Sequence, residues 1–116
     1  MTIRYKNQGF KQSGTGKTTV FTCPSDGTAI VKSIYCANND ASSAILVNMN
    51  FVDSSDSSAE YEFFRDDVAA KEQVNATPQG LNLEAGDAIT VQAATGSSKI
   101  QGLISYALID RRNENG

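Results

Sequence analysis

The chain has 116 residues, of which 40% are hydrophobic and 20% charged, and its formal net charge is −3. That is one domain of ordinary size, able to bury roughly 65% of its unfolded surface without a metal or disulfide staple. The composition excludes a disordered chain, the negative balance excludes a general nucleic-acid footprint, and no run approaches the ~18 apolar residues of a membrane span.

Residues 1–17, MTIRYKNQGFKQSGTGK, are polar, basic and glycine-bearing. Ile3, Tyr5 and Phe10 are their only sizeable apolar groups, so the segment reads as an irregular N-terminal arm. Arg4, Lys6, Lys11 and Lys17 all precede the first acidic residue, Asp26. No apolar h-region follows Met1, so no signal peptide is expected, and the chain is expected to be made and soluble in a cytoplasm.

Residues 18–22 are β-branched and aromatic. Pro24-Ser25-Asp26-Gly27 supplies turn chemistry, and residues 28–37 resume a β-rich run. The pair reads as strand, tight turn, strand. In such a hairpin Cys23 sits beside the turn, and Cys36 lies about 26 Å up the return strand at roughly 3.3 Å per residue. A disulfide needs Cα atoms within about 7 Å, so two reduced, partly buried thiols are expected. Residues 43–52 show a period of two: Ile45, Val47, Met49 and Phe51 share one face, Leu46, Asn48 and Asn50 the other. A Ser/Asp loop at 53–58 leads into a strand at 59–65, with Tyr61 and Phe63 facing opposite to Phe64.

Residues 68–74, VAAKEQV, are too few to hold a helix alone and suit a single turn or a strand edge equally. Short strands at 81–83 and 88–93 flank a turn in which Gly86 can take positive φ. A long strand at 99–109 closes the pattern. Strands every 8–15 residues with turn signals between them predict an all-β protein: an antiparallel two-sheet β-sandwich, jelly-roll-like, with the irregular arm at its start. The domains are a basic arm (1–17), the sandwich (18–110) and a polar tail (111–116).

Catalytic chemistry finds few residues to use. Histidine is absent, which removes Ser-His-Asp and Cys-His catalysis and most zinc sites. Gly14-Thr15-Gly16-Lys17-Thr18-Thr19 resembles the end of a P-loop, but Lys11 stands where the first glycine belongs and a β-rich run follows where a helix should. Asp53, Asp56, Glu60 and Glu62 offer paired carboxylates, yet they lie in or beside a serine-rich loop and no tryptophan is present to form a sugar platform. Asp53, Asp56, Asp66 and Asp67 are the residues that calcium would use, although no EF-hand spacing is present. No enzyme activity, cofactor or metal is therefore expected. The arm is the candidate partner-binding site: Arg4, Lys6, Lys11 and Lys17 supply charge, and Tyr5 and Phe10 supply apolar anchors that dock on a partner or fold back over the sandwich.

Two stretches carry a resemblance. VFTCPSDGTAIVKSIYCANND and LNLEAGDAITVQAA, with the Ser/Asp-rich loop between them, resemble small β-sandwich virion proteins of tailed bacteriophages, the match being carried by residues 18–39 and 81–94. Residues 18–109 are compatible with that pattern. The resemblance implies a structural role: a capsid decoration or cement protein on the outer surface of the major capsid lattice, stabilising the head. The alternative it implies is a tail, neck or fibre appendage acting in virion assembly or host-surface binding. The partners would be the major capsid protein or tail and neck proteins, together with further copies in a homo-oligomer such as a trimer, and neither nucleic acid nor membrane. The location would be the virion.

Overall fold

Among the described residues, 2–110, the computed structural model forms nine strands and one short 3₁₀ turn. The strands are β1 (Thr2–Gln12), β2 (Thr18–Thr22), β3 (Gly27–Asn38), β4 (Ile45–Asp53), β5 (Ala59–Val68), β6 (Gln73–Asn75), β7 (Leu81–Leu83), β8 (Ala88–Ala93) and β9 (Ile100–Asp110). The expected tail at 111–116 lies outside the described residues. No helix among the described residues is long and apolar enough to cross a membrane.

Two antiparallel sheets stack. The first runs β1-β9-β3-β6, with β7 also beside β3, and the second runs β2-β8-β4-β5. Successive strands cross from one sheet to the other, except that β4 and β5 pair directly and β6 and β7 share the β3 edge. This is the wrapped order of a jelly roll, and the two-sheet antiparallel sandwich expected from the strand spacing is what forms.

Three local expectations need correction. First, residues 2–12 are not an irregular arm. They pair with β9 along the full length of the strand, from Thr2 opposite Asp110 to Gln12 opposite Ile100. β9 is apolar on both faces and must be paired on both edges, and β1 fills the edge that β3 leaves open. Second, β2 and β3 are not a hairpin. The Pro24–Gly27 turn exists, with the Gly27 amide donating to the Pro24 carbonyl at 3.2 Å, but it carries the chain from the second sheet to the first. Turn chemistry fixes a change of direction and says nothing of which strand the returning segment will join. Third, Tyr61 and Phe64 share the inner side. Met49 pairs with Phe64 but Asn50 with Glu62, so Phe63 is an extra residue in β5. This β-bulge shifts the alternation by one and lets both Phe63 and Phe64 pack on the core. The ambiguous segment after β5 resolves as a turn, with Lys71 at φ 64°, followed by the short edge strand β6.

The core lies between the sheets. Ile34, Ile45, Val47, Met49, Leu83, Ile89, Val91, Ile100 and Ile104 are fully buried. The alternation read in β4 holds, since Ile45, Val47 and Met49 point inward while Leu46, Asn48 and Asn50 are half-buried on the other side. Asp87, at the end of the Leu83-Glu84-Ala85-Gly86-Asp87 turn, is a buried polar tie. Its carboxylate accepts from the Ser54 amide and hydroxyl, both at 3.0 Å, and from the Glu84 amide at 2.9 Å. Its carbonyl accepts from the Cys23 amide at 2.8 Å. One residue thus pins the β7–β8 turn to the end of β4 and to the β2–β3 crossing, with Gly86 at φ +84° making the tight turn possible.

Candidate functional site

β1 is the end strand of its sheet and is mostly exposed. Its even-numbered residues face the second sheet. Only Phe10 and Gln12 are covered there, because β2 is short. Beyond them Lys6 and Gln8 border an open cleft of about 310 Å³ with Val20, Thr22, Pro24, Tyr106 and Leu108. Arg4 lies 3.8 Å from the carboxylate of Asp110. Lys6 and Lys11 make no ion pair among the described residues.

The odd-numbered residues of β1 join the outer face of the first sheet, where antiparallel register builds cross-strand rows. Ile3 stands beside Ile109. Tyr5, Ala107 and Ile30 form a second row, and Gly9, Leu103 and Tyr35 another. Ile3, Tyr5, Ile30, Tyr35 and Leu103 are all exposed, Tyr5 by 75%. Among the described residues the one other large hydrophobic exposed to this degree is Tyr61. Lys32 sits over the Tyr5 ring, its Nζ 4.8 Å from the ring centre, and the Ser105 hydroxyl donates to Asn7 Oδ1 at 2.6 Å. None of the positions in these rows holds an Asp or Glu. Exposed apolar groups gathered on one face mark an interaction surface more strongly than the same groups scattered singly.

The second sheet presents the opposite character. Its outer face carries Asn48, Asn50 and Gln92, and its end strand β5 carries Glu60, Glu62, Asp66 and Asp67 against Arg65. Lys17 Nζ reaches Glu60 Oε1 at 2.9 Å. That ammonium, with the Asn50 amide, holds the Glu60 carboxyl below the usual carboxylate range. Arg65 pairs with Glu62 at 3.0 Å.

The six expected site residues therefore divide. Arg4, Tyr5, Lys6 and Lys11 all lie on β1, but on its two faces: Arg4 and Lys6 toward the second sheet, Tyr5 and Lys11 on the outer face. Phe10 is a core residue with 8% exposure, and Lys17 belongs to the acidic sheet. Phe10 takes the second of the two roles read for it, folding back over the sandwich, because its ring fills the space over Gly102. Sequence reading missed Ile30, Lys32, Tyr35 and Leu103. A signal was there: in residues 100–108 apolar side chains occupy both parities, which means a strand with two apolar faces.

The other candidate chemistries find no assembled site. The Gly14–Lys17 segment is a turn between strands that packs on the β8–β9 loop, the Ser97 amide donating to the Ser13 carbonyl at 2.9 Å. Asp53 and Asp56 lie at one end of β5 and Asp66 and Asp67 at the other, and no three potential metal ligands cluster among the described residues. Asp53 instead accepts from the Ser55 amide, and Asp56 accepts from the Tyr61 hydroxyl, which raises the Tyr61 pKa.

Cys23 and Cys36 are free and buried. Burial pushes the Cys23 thiol up, and pushes Cys36 up from 9.0 to about 12. A raised folded pKa means that the native state holds its proton longer than the unfolded one. The associated stabilisation is complete below pH 9.0 and is lost as pH rises toward about 12. The thermal midpoint should fall across that window, and fall less in Cys36→Ala. At pH 8 neither thiol should react with a thiol reagent until the chain is unfolded; reaction of one equivalent in the native state would refute this burial.

Comparison with known proteins bears on the fold. No family model matches the chain, and no curated protein matches its sequence. A chain from the acidic stable capsid of Helicobacter pylori bacteriophage KHP30 superposes with a TM-score of 0.58 at 15% identity, over 94% of this chain and 88% of that one. A chain from Bacillus endospore appendages, described as disulfide-linked pili, gives 0.51 at 11% identity over 94% and 88%. A chain from the T13 particle of IBDV gives 0.54 at 8% identity, covering 96% of this chain but 32% of that one. At these identities the shared feature is the fold.

Proposed function

We propose that this is a viral structural protein, specifically a bacteriophage capsid decoration protein that docks on the outer surface of the major capsid lattice. The observation that carries this reading is the sidedness of the sandwich. One outer face carries Ile3, Tyr5, Ile30, Tyr35 and Leu103 with the cations Lys11 and Lys32 and no carboxylate in its cross-strand rows, while Arg4 and Lys6 lie on the other side of β1; the opposite outer face is polar, with an acidic edge. A molecule built this way seats its apolar, cationic side on an acidic partner surface and leaves its acidic side to solvent. The border cations steer encounter and fix register, while the apolar rows supply the buried area. Repetition over a lattice turns modest single contacts into firm attachment. The fold shared with a phage capsid chain of comparable length supports this reading. No catalytic function is proposed, and the virion is the expected location.

The likeness to endospore appendages favours the alternative, a tail, neck or fibre appendage. Disulfide linkage of the kind named for those pili needs accessible thiols, and both cysteines here are buried. Labelled virions separate the two readings: decoration gives many copies over the head, an appendage gives a few near the tail.

Docking itself is tested with Ile30→Glu/Leu103→Glu, two exposed positions whose substitution leaves the core intact. Occupancy of heads stripped of this protein should fall at least about tenfold, since two carboxylates would be buried against an acidic surface. Wild-type occupancy by a variant with a native melting curve would remove this face from the mechanism.

A further inference from the structure

The sandwich has two long free edges, and they carry opposite charge. Among the described residues β1, with 11 residues, is hydrogen-bonded to β9 alone, and β5, with 10 residues, to β4 alone. The remaining edges are poor templates. β2 has five residues, and β6 and β7 have three each and are separated by a segment containing Pro78. β1 contains Arg4, Lys6 and Lys11 and no carboxylate, whereas β5 contains Glu60, Glu62, Asp66 and Asp67 against Arg65. They also lie on opposite sides of the molecule. β1 is the end strand over β2, and β5 ends the second sheet beyond β4, on the side where β3 borders it.

An unpaired strand edge is a row of backbone donors and acceptors ready for another strand. Charge decides which other strand. Two β1 edges repel, two β5 edges repel, and a β1 edge attracts a β5 edge. We propose that copies of this chain associate head to tail, the basic β1 edge of one copy adding to the acidic β5 edge of the next. The partner is thus a second copy of the chain. The contact is heterologous, so it closes into a ring where the rotation allows and otherwise runs on as a filament. This deepens the structural-protein reading above and rests on it, naming the surfaces by which a homo-oligomer forms and leaving the outer face of the first sheet for the capsid.

The test is sedimentation of the full chain with two charge reversals, Lys6→Glu/Lys11→Glu and Asp66→Lys/Asp67→Lys. None of these four residues is in an ion pair among the described residues, so the internal pairs survive the changes. Wild type should self-associate, and the association should weaken as salt shortens the Debye length to about 3 Å near 1 M. Each variant alone should associate at least roughly tenfold more weakly. Mixed in equal amounts, the two variants should recover assembly, because each then offers the edge the other lacks. That recovery also excludes misfolding as the cause of the single losses. Hydrogen exchange on wild type gives a second readout: amides of β1 and β5 should gain protection as concentration rises. A wild type that stays monomeric, variants that assemble as well as wild type, or edge amides whose protection ignores concentration would each overturn the proposal. A monomeric wild type that still coats heads would overturn it while leaving the docking reading intact. An assembling wild type that ignores heads would do the reverse.

Discussion

Val47→Asp should unfold the protein or cost it about 4 kcal/mol or more, as expected for an unpaired charge buried in a core. Val47 is fully buried in β4, the strand of the second sheet held between β5 and β8, and its neighbours on the inner face are Ile45 and Met49. Its cross-strand partners are Ala93 on β8 and Asp66 on β5, so neither offers a cation to compensate a new carboxylate. Asn48→Asp, one residue along, should change stability by less than about 1 kcal/mol, since Asn48 is half-buried on the outer face and pairs across to Arg65. Denaturant titration of the two variants reads the difference. Equal effects would mean that the period-two assignment of β4, and with it the inner face of the second sheet, is wrong.

Gly102→Ala should be the second most damaging change, costing about 3 kcal/mol through overpacking. A Cβ at Gly102 would collide with the Phe10 ring and with the backbone carbonyl of Tyr35. The ring can swing away, but the carbonyl belongs to the neighbouring strand of the ladder and cannot move without disturbing the β3–β9 register. Gly9→Ala is the control. Gly9 sits on the same pair of strands one residue from the clash, and an added Cβ there meets nothing nearer than 3.9 Å. It should be neutral, or stabilising by about 0.5 kcal/mol through the unfolded chain. The pair also reports on β1, because displacing Phe10 loosens the strand from β9. Amide exchange along residues 2–12 should therefore quicken in Gly102→Ala and stay unchanged in Gly9→Ala. Fast exchange of these residues in wild type would mean that β1 is not held in the sheet at all.

The division of the molecule into a docking face and two complementary edges follows from β1. Had residues 2–12 remained an irregular arm, β9 would be an edge strand, Leu103 and Ala107 would lie at a rim, and no apolar face would extend across three strands. With β1 in place the face gains Ile3 and Tyr5, and the sheet gains a basic edge. The charge that the sequence shows as an N-terminal cluster thereby becomes a feature of one side of a solid body.

The all-β class, the location of seven of the strands and the inner face of β4 are legible in the residues alone. These depend on side-chain alternation and local turn chemistry, and both are written in consecutive residues. Ile45, Val47 and Met49 announce their face because every second position between them is polar or half-buried. β1 announces little, because from Thr2 to Gly9 neither of its faces is covered and only Ile3 and Tyr5 interrupt a polar run. Its strand conformation comes from backbone pairing with β9, whose residues lie 88 (Gln12 to Ile100) to 108 (Thr2 to Asp110) positions away, and backbone hydrogen bonds leave no mark on side-chain composition. Tertiary structure likewise decided the crossing of β2 to the second sheet, the bulge that turns Phe63 and Phe64 together, and the meeting of Tyr5, Ile30 and Leu103. Each depends on which strand becomes whose neighbour, a choice made by the packing of the whole chain.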